Sequence, residues 1–281
     1  MLMEVLNVVR GAPVLCLAVL LAACAAPVRQ PAGVQGVRGV VVTTTMLECA
    51  VRDLLPADAG IPVLALIPPG FCPGHFDVPP SVVPALRTAA VVVAHDYQQD
   101  LAGKLGELGP PGMKVVQIET KGSLLIPEHY LRVTQQLSDV LVIAYPNHEA
   151  RIRAALKALE QKSQGLSETV SKRRTAWQGT PVIASAMQRQ FCEWLKLQVV
   201  GQVARPEDVT PVELRALLSS KPAVIVGNLQ EGLLAAQALA ERLAVPLVVF
   251  SNFPGAEGYG RGYEELLNEN LRRLEGACRK R

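Results

Sequence analysis

Imidazole, thiolate and carboxylate are the side chains that hold divalent transition metals, and three or four of them make a tight site. The chain has four histidines, and three of them, His75, His95 and His129, follow closely on stretches that read as β-strands. Cys72 lies three residues before His75, and Glu128 directly precedes His129. As a thiolate, Cys72 would favour zinc or another soft ion. Later strand ends carry a different chemistry. Ser185, Asn228 and the pair Ser251-Asn252 offer hydroxyls and amides, which hydrogen-bond well and coordinate metals poorly. The fourth histidine, His148, falls in the first turn of a helix and reads as solvated. No Ser-His-acid order, nucleophile elbow, phosphate loop or His-Glu-x-x-His occurs, so the chemistry on offer is binding and no enzyme is expected.

These positions depend on the elements that carry them. β-Branched or continuous apolar runs at 37–42, 62–67, 89–94 and 114–118 alternate with helical patterns at 47–54, 83–86 and 101–108. A second series follows, with strands at 181–184, 199–203, 223–226 and 246–250 and helices at 186–197, 210–218, 231–243 and 264–274. Strands alternating with helices imply parallel βαβ units, and continuous apolar strands imply sheets covered on both faces. Between the two series, Ile152, Leu156, Leu159, Leu166 and Val170 form a single apolar stripe, which predicts one long helix over 146–177. About thirty residues at 1.5 Å each reach about 45 Å, long enough for a rigid strut between two lobes. The expected fold is therefore α/β, with two lobes, each a parallel sheet flanked by helices, joined by one long rigid backbone helix. In such sheets ligands bind beyond the carboxyl ends of the strands. Ser185, Asn228, Ser251 and Asn252 are expected to line the cleft between the lobes.

The amino terminus is a different material. Arg10 precedes an apolar run from Pro13 to Ala23, too short to span a bilayer and suited to an export signal. Leu21-Ala22-Ala23-Cys24 resembles a bacterial lipobox, which implies lipidation of Cys24. The expected division is a lipoprotein signal peptide at 1–23, a tether at 24–39, a first lobe at 40–145, the linking helix at 146–177 and a second lobe at 178–281. Two acyl chains suffice for stable anchoring at a membrane surface. Cys49, Cys72, Cys192 and Cys278 then remain, with three possible full pairings. Buried free thiols are the simpler state for Cys192 and Cys278. With 28 basic and 25 acidic residues the charge is too even for a nucleic-acid partner.

The order of several segments resembles the metal-specific solute-binding lipoproteins of bacterial ABC importers, the zinc and manganese group. Val41-Val42-Thr43-Thr44 resembles that family's opening strand, 70–80 its Gly-x-x-Pro-His loop, and 144–159 the start of its backbone helix. Leu197-Gln198-Val199-Val200-Gly201 and the stretch from Glu257-Gly258-Tyr259 to Asn270-Leu271 match in spacing. The family holds its metal with four side chains, two from each lobe. Carried over, the first family histidine falls at Gly74, beside His75, and the second at Glu128, beside His129. The third falls at Ser185 and the fourth, usually Asp, at Ser251. The resemblance implies a divalent metal ion, zinc or manganese, as transported ligand, with His75, His129, Glu128, His95 and Cys72 as candidate ligands. It also implies an ABC permease as partner, a monomeric state, and a place outside the cytoplasm, lipid-anchored to the outer face of the cytoplasmic membrane or in the periplasm. Taken at face value, the two serines favour a small organic ligand or a metal chelate instead. A ligand-free, adhesin-like surface lipoprotein is the third possibility.

Overall fold

The computed structural model describes residues 38–55, 57–203 and 210–279. The expected signal peptide and Cys24 lie outside them, as does nearly all of the tether. No helix among the described residues is long and apolar enough to cross a membrane.

Two four-stranded parallel sheets form the frame. The first contains β1 (Gly39–Val42), β2 (Val63–Ala65), β3 (Ala89–His95) and β4 (Val115–Ile118), in the order β2-β1-β3-β4. The second contains β5 (Pro181–Ser185), β6 (Gln198–Val203), β7 (Val224–Asn228) and β8 (Leu247–Phe250), in the equivalent order β6-β5-β7-β8. The sequence predicts each of these strands to within about two residues. Their side chains alternate between two buried faces. Val40 and Val42 enter the core shared with α1 (Thr45–Leu54), while Val41 enters a second core beneath α2 (Val83–Thr88) and α3 (Gln99–Leu108). The same division recurs in the second sheet. Val182 and Ala184 face the shared core, and Ile183 faces a separate one closed by Ala236 and Leu239 of α8 (Leu234–Leu243). At the central strands β1, β5 and β7 both faces are therefore nearly dry, as continuous apolar strands require.

In each sheet the strand order reverses once, between β1 and β3 and between β5 and β7. These two switch points are where open parallel sheets make a crevice for ligands, because the connections diverge to opposite faces there. They bring the residues after β1 beside His95 in one lobe, and Ser185 beside Asn228 in the other.

The linking helix is α5 (Glu149–Arg173), bounded by short 3-10 turns at Pro146–His148 and Arg174–Ala176. Its stripe is as predicted: Ile152 and Val170 are buried, and Leu156, Leu159 and Leu166 pack partly buried against the core. Glu149 and Arg153 pair along it as an i,i+4 couple. A helix not among those predicted, α4 (Pro127–Ala144), packs along α5. Pro127 opens its first turn, where the missing N–H costs nothing, and Tyr130, Val133, Leu137 and Leu141 form its buried face. Where α4 meets α9 (Tyr263–Cys278) of the second lobe, the rings of Tyr130 and Tyr263 stack at 3.9 Å between centroids, 6° from parallel. The largest core is thus continuous through both lobes. Ion pairs add to the tie: Arg151–Asp58 joins α5 to the first lobe, and Lys162–Glu264 and Arg173–Glu275 join it to α9. The exposed members of this set contribute little stability and act mainly to fix orientation.

Cys49 and Cys192 are buried free thiols, and burial pushes the pKa of Cys49 up to about 11. Cys192 is shifted in the same direction by the same cause. Both are packing residues here, without thiolate character.

Candidate functional site

At the first switch point His95 ends β3 and is fully buried. Its Nδ1 lies 2.8 Å from Thr120 Oγ1, and its Nε2 lies 2.9 Å from Thr44 Oγ1. The hydroxyls settle the tautomer. Thr120 Oγ1 donates to Ile118 O, so it accepts from His95 Nδ1–H. Thr44 Oγ1 accepts from Leu47 N–H, so its own proton serves Nε2. The ring is therefore neutral and its lone pair is occupied. Burial lowers its pKa to about 3, and Tyr97 stacks on it at 4.9 Å. Next to it, Gln98 Oε1 accepts from Thr43 Oγ1–H (2.6 Å) and from His95 N–H (3.0 Å). That double acceptance fixes the amide and leaves Gln98 Nε2 buried without a partner.

The other first-lobe candidates diverge. Cys72 is half-buried, and His75, in the 3-10 turn Pro73–His75, is exposed. Glu128 and His129 occupy the first turn of α4, where consecutive side chains point about 100° apart. Glu128 accepts a 2.6 Å hydrogen bond from Ser167 Oγ–H of α5. His129 instead packs by Gly122 and Gln190, and its Nδ1 is buried without a partner. Burial lowers its pKa, and Arg132 adds to the effect. Gly122 has φ +82°, and any side chain there would strike both Gln190 and the His129 ring. Among the described residues no group of three or more His, Cys, Asp or Glu side chains is placed to hold a metal ion. The five first-lobe candidates are thus not gathered into one donor set.

The second switch point is built from amides and hydroxyls. Asn228 Oδ1 accepts from the backbone N–H groups of Gln230 and Glu231, both at 2.9 Å, and its Nδ2 is left unpartnered. Ser185 Oγ is buried without a partner as well. Gln188 Nε2 donates to Asn252 Oδ1 (2.8 Å), while Gln188 Oε1 has no partner. Ser251 is fully engaged. Its Oγ–H donates to Phe253 O (2.9 Å), the same oxygen accepts from Gln230 Nε2–H (3.0 Å), and Asn270 of α9 clamps its backbone at both N–H and C=O. Of the four residues expected to line the cleft, Ser185, Asn228 and Ser251 are buried and Asn252 is half-buried.

The strand-end loops of the two lobes meet directly. Thr45 Oγ1–H donates to Pro254 O (2.7 Å), Gln230 Nε2–H donates to Pro69 O (2.7 Å), and Ser123 N–H donates to Gln190 Oε1. Gln230 is the pivot, since its Oε1 also accepts from Asn252 N–H (3.0 Å). Replacing Gln230 by Ala is expected to speed hydrogen exchange at the Asn252 amide at least tenfold, about 1.4 kcal/mol of local opening. Unchanged protection there would show that the contact does not hold the loops together.

Behind these loops, a cavity of about 310 Å³ opens among α1, α4, α5 and α9. Its polar groups partner one another: Tyr130 O–H donates to Asp53 (2.7 Å) and Lys162 pairs with Glu264 (2.9 Å). It is a feature of the seam between the lobes.

A family described as zinc-uptake complex component A, periplasmic (ZnuA), matches residues 40–277. The chain belongs to the ZnuA family. ZnuA-family proteins are solute-binding components of uptake systems, a transport role and not a catalytic one. Solved structures agree on the fold. The crystal structure of ZnuA superimposes with a TM-score of 0.71 at 15% identity, covering 86% of this chain and 99% of that one. The periplasmic zinc binding protein TroA from Treponema pallidum gives the same TM-score, 0.71, identity, 15%, and coverage, 86% and 99%. A manganese-bound mutant of the periplasmic metal binding protein from Candidatus Liberibacter asiaticus gives 0.68 at 12% identity, covering 86% and 99%. No curated protein matches the chain by sequence. The segments that resemble the zinc and manganese solute-binding lipoproteins point to the same family. Thr44, Gln98, Thr120, Gln188 and Gln230, which carry much of the hydrogen bonding at the switch points, are not among the residues singled out from sequence.

Proposed function

We propose that this ZnuA-family chain is the extracytoplasmic solute-binding component of an ABC importer and receives a divalent transition metal, zinc or manganese, between its lobes. The family match over nearly all of the two-lobed region carries this reading. It is supported by two sheets of equivalent strand order whose carboxyl ends meet at one line of contact. His129 packs by Gly122 and Gln190 at that line, with its Nδ1 buried and unpartnered among the described residues, and His75 is the exposed imidazole of the 3-10 turn at 73–75. His95 contributes as the buried, neutral support of the Thr44 and Thr120 hydroxyls. Glu128 joins the ligand set only by releasing the Ser167 hydroxyl, and Cys72 is the half-buried thiol nearest His75 in the chain. Lipidation at Cys24 would keep a monomer near the permease at the membrane surface.

The shared core and the tyrosine stack limit the motion to a small parting of the strand-end loops, with α5 unchanged in length. The full chain, purified without chelator from metal-replete cells, is expected to carry about one zinc or manganese per chain by ICP mass spectrometry. Substoichiometric metal under those conditions would sink the metal-cargo reading.

A small organic ligand or chelate is a second reading, favoured by the uncharged character of Ser185, Gln188 and Asn228 at the second switch point.

A further inference from the structure

Resting on the importer reading, we infer that the second lobe recognises the organic coat of its cargo, so that the ligand is a small polar organic molecule, wrapped around a metal ion or free. The observation behind this is a concentration of unpaired groups. Ser185 Oγ, Gln188 Oε1 and Asn228 Nδ2 are all buried side-chain atoms with no hydrogen-bond partner among the described residues. The three residues are at most 6% exposed. Buried polar groups in folded proteins are almost always paired, so several orphans on adjoining strand ends point to a polar partner that the protein itself does not supply.

Their chemistry specifies that partner. Asn228 Nδ2 is a donor, Gln188 Oε1 is an acceptor, and Ser185 Oγ can be either. The orientations are fixed in advance. Two backbone N–H groups hold the Asn228 carbonyl, and Asn252 holds the Gln188 amino group, so neither amide can turn to satisfy itself. β5 and β7 are neighbours, with Ala184 in register with Val226, which puts Ser185 and Asn228 at adjacent strand ends. In the first lobe, Gln98 Nε2 is a fourth buried, unpaired polar group, at that lobe's own switch point. A bare divalent cation has no use for amide donors, which present positive charge to it. It needs three or four anionic or imidazole donors, whereas Ser185, Gln188 and Asn228 are uncharged. A ligand carrying its own carboxylates and amines satisfies donor and acceptor alike.

Native mass spectrometry of the full chain, with titrations of Zn²⁺ alone, the zinc bis-histidine complex and L-histidine alone, tests the inference. The expected result is an adduct containing an organic molecule, and at least tenfold tighter binding of the zinc bis-histidine complex than of Zn²⁺. Ser185→Ala should weaken that binding at least tenfold without lowering thermal stability, because the hydroxyl has no partner to lose. Asn228→Ala, which also removes a turn contact, should weaken binding and stability together. Metal bound one to one without an organic companion, with Ser185→Ala indistinguishable from the parent, overturns the inference and leaves the metal-receptor reading standing. An organic adduct without metal upholds the inference and overturns metal as cargo. No adduct and no binding of any probe overturns both.

Discussion

Trp177→Ala is expected to destabilise the protein by about 4 kcal/mol, the range for emptying a buried aromatic site. Trp177 follows the 3-10 turn that ends α5, is 1% exposed, and belongs to the core shared by the lobes. Its indole N–H donates to Leu195 O at 3.1 Å, so truncation also strands a carbonyl in the second lobe. Urea unfolding of the variant would show this as a lower midpoint. Trp177→Phe keeps most of the volume and loses the donor, so about 1–2 kcal/mol is expected. A loss below about 1 kcal/mol for the alanine variant would mean that the end of the linking helix is not seated as described.

Acid should act through His95. An imidazole titrates near 6.5 in an unfolded chain, and burial holds His95 at about 3 in the folded one. Between those values the unfolded state binds one proton more than the folded state. Stability from this residue is therefore complete above pH 6.5 and declines by about 1.4 kcal/mol per pH unit on acidification towards pH 3. From pH 6.5 to pH 5 the contribution lost is about 2 kcal/mol. Paired carboxylates affect the same curve only at its acid end. Comparison with His95→Asn isolates the histidine, because the variant lacks the added slope. Equal slopes for parent and variant between pH 6.5 and pH 5 would show that the ring is not buried as a neutral group.

Much of the architecture could be read from the chain because its signals are local. Runs such as Val91-Val92-Val93 and Val224-Ile225-Val226 fit only a strand buried on both faces, and the stripe from Ile152 to Val170 fits only a helix with one packed side. Helix α4 is equally periodic at Tyr130, Val133, Leu137 and Leu141, yet it is not among the predicted elements, because Glu128 and His129 stand out there as candidate ligands. The switch-point chemistry was less legible. Gln230 reaches Pro69 across 161 positions, and Gln98 meets Thr43 across 55, so no spacing rule announces either contact. Neighbours in sequence can also part company in space: Glu128 bonds to α5, whereas His129 packs by Gln190. The serines at positions 185 and 251 looked alike in sequence. In the fold Ser251 is saturated by Gln230, Phe253 and Asn270, and Ser185 is left unpaired, because only the former has amides from two other elements turned towards it.

The uninterrupted apolar interior has a consequence for how this molecule comes apart. Val42 of one sheet and Val182 of the other lie in a single hydrophobic body, bridged by Tyr130, Tyr263 and Trp177. Cutting the polypeptide at the start of α5 would leave each half with a greasy wound and no complement, so neither fragment should persist alone in water. Calorimetry of the intact protein should accordingly record one melting event, and co-expressed halves should find each other or precipitate.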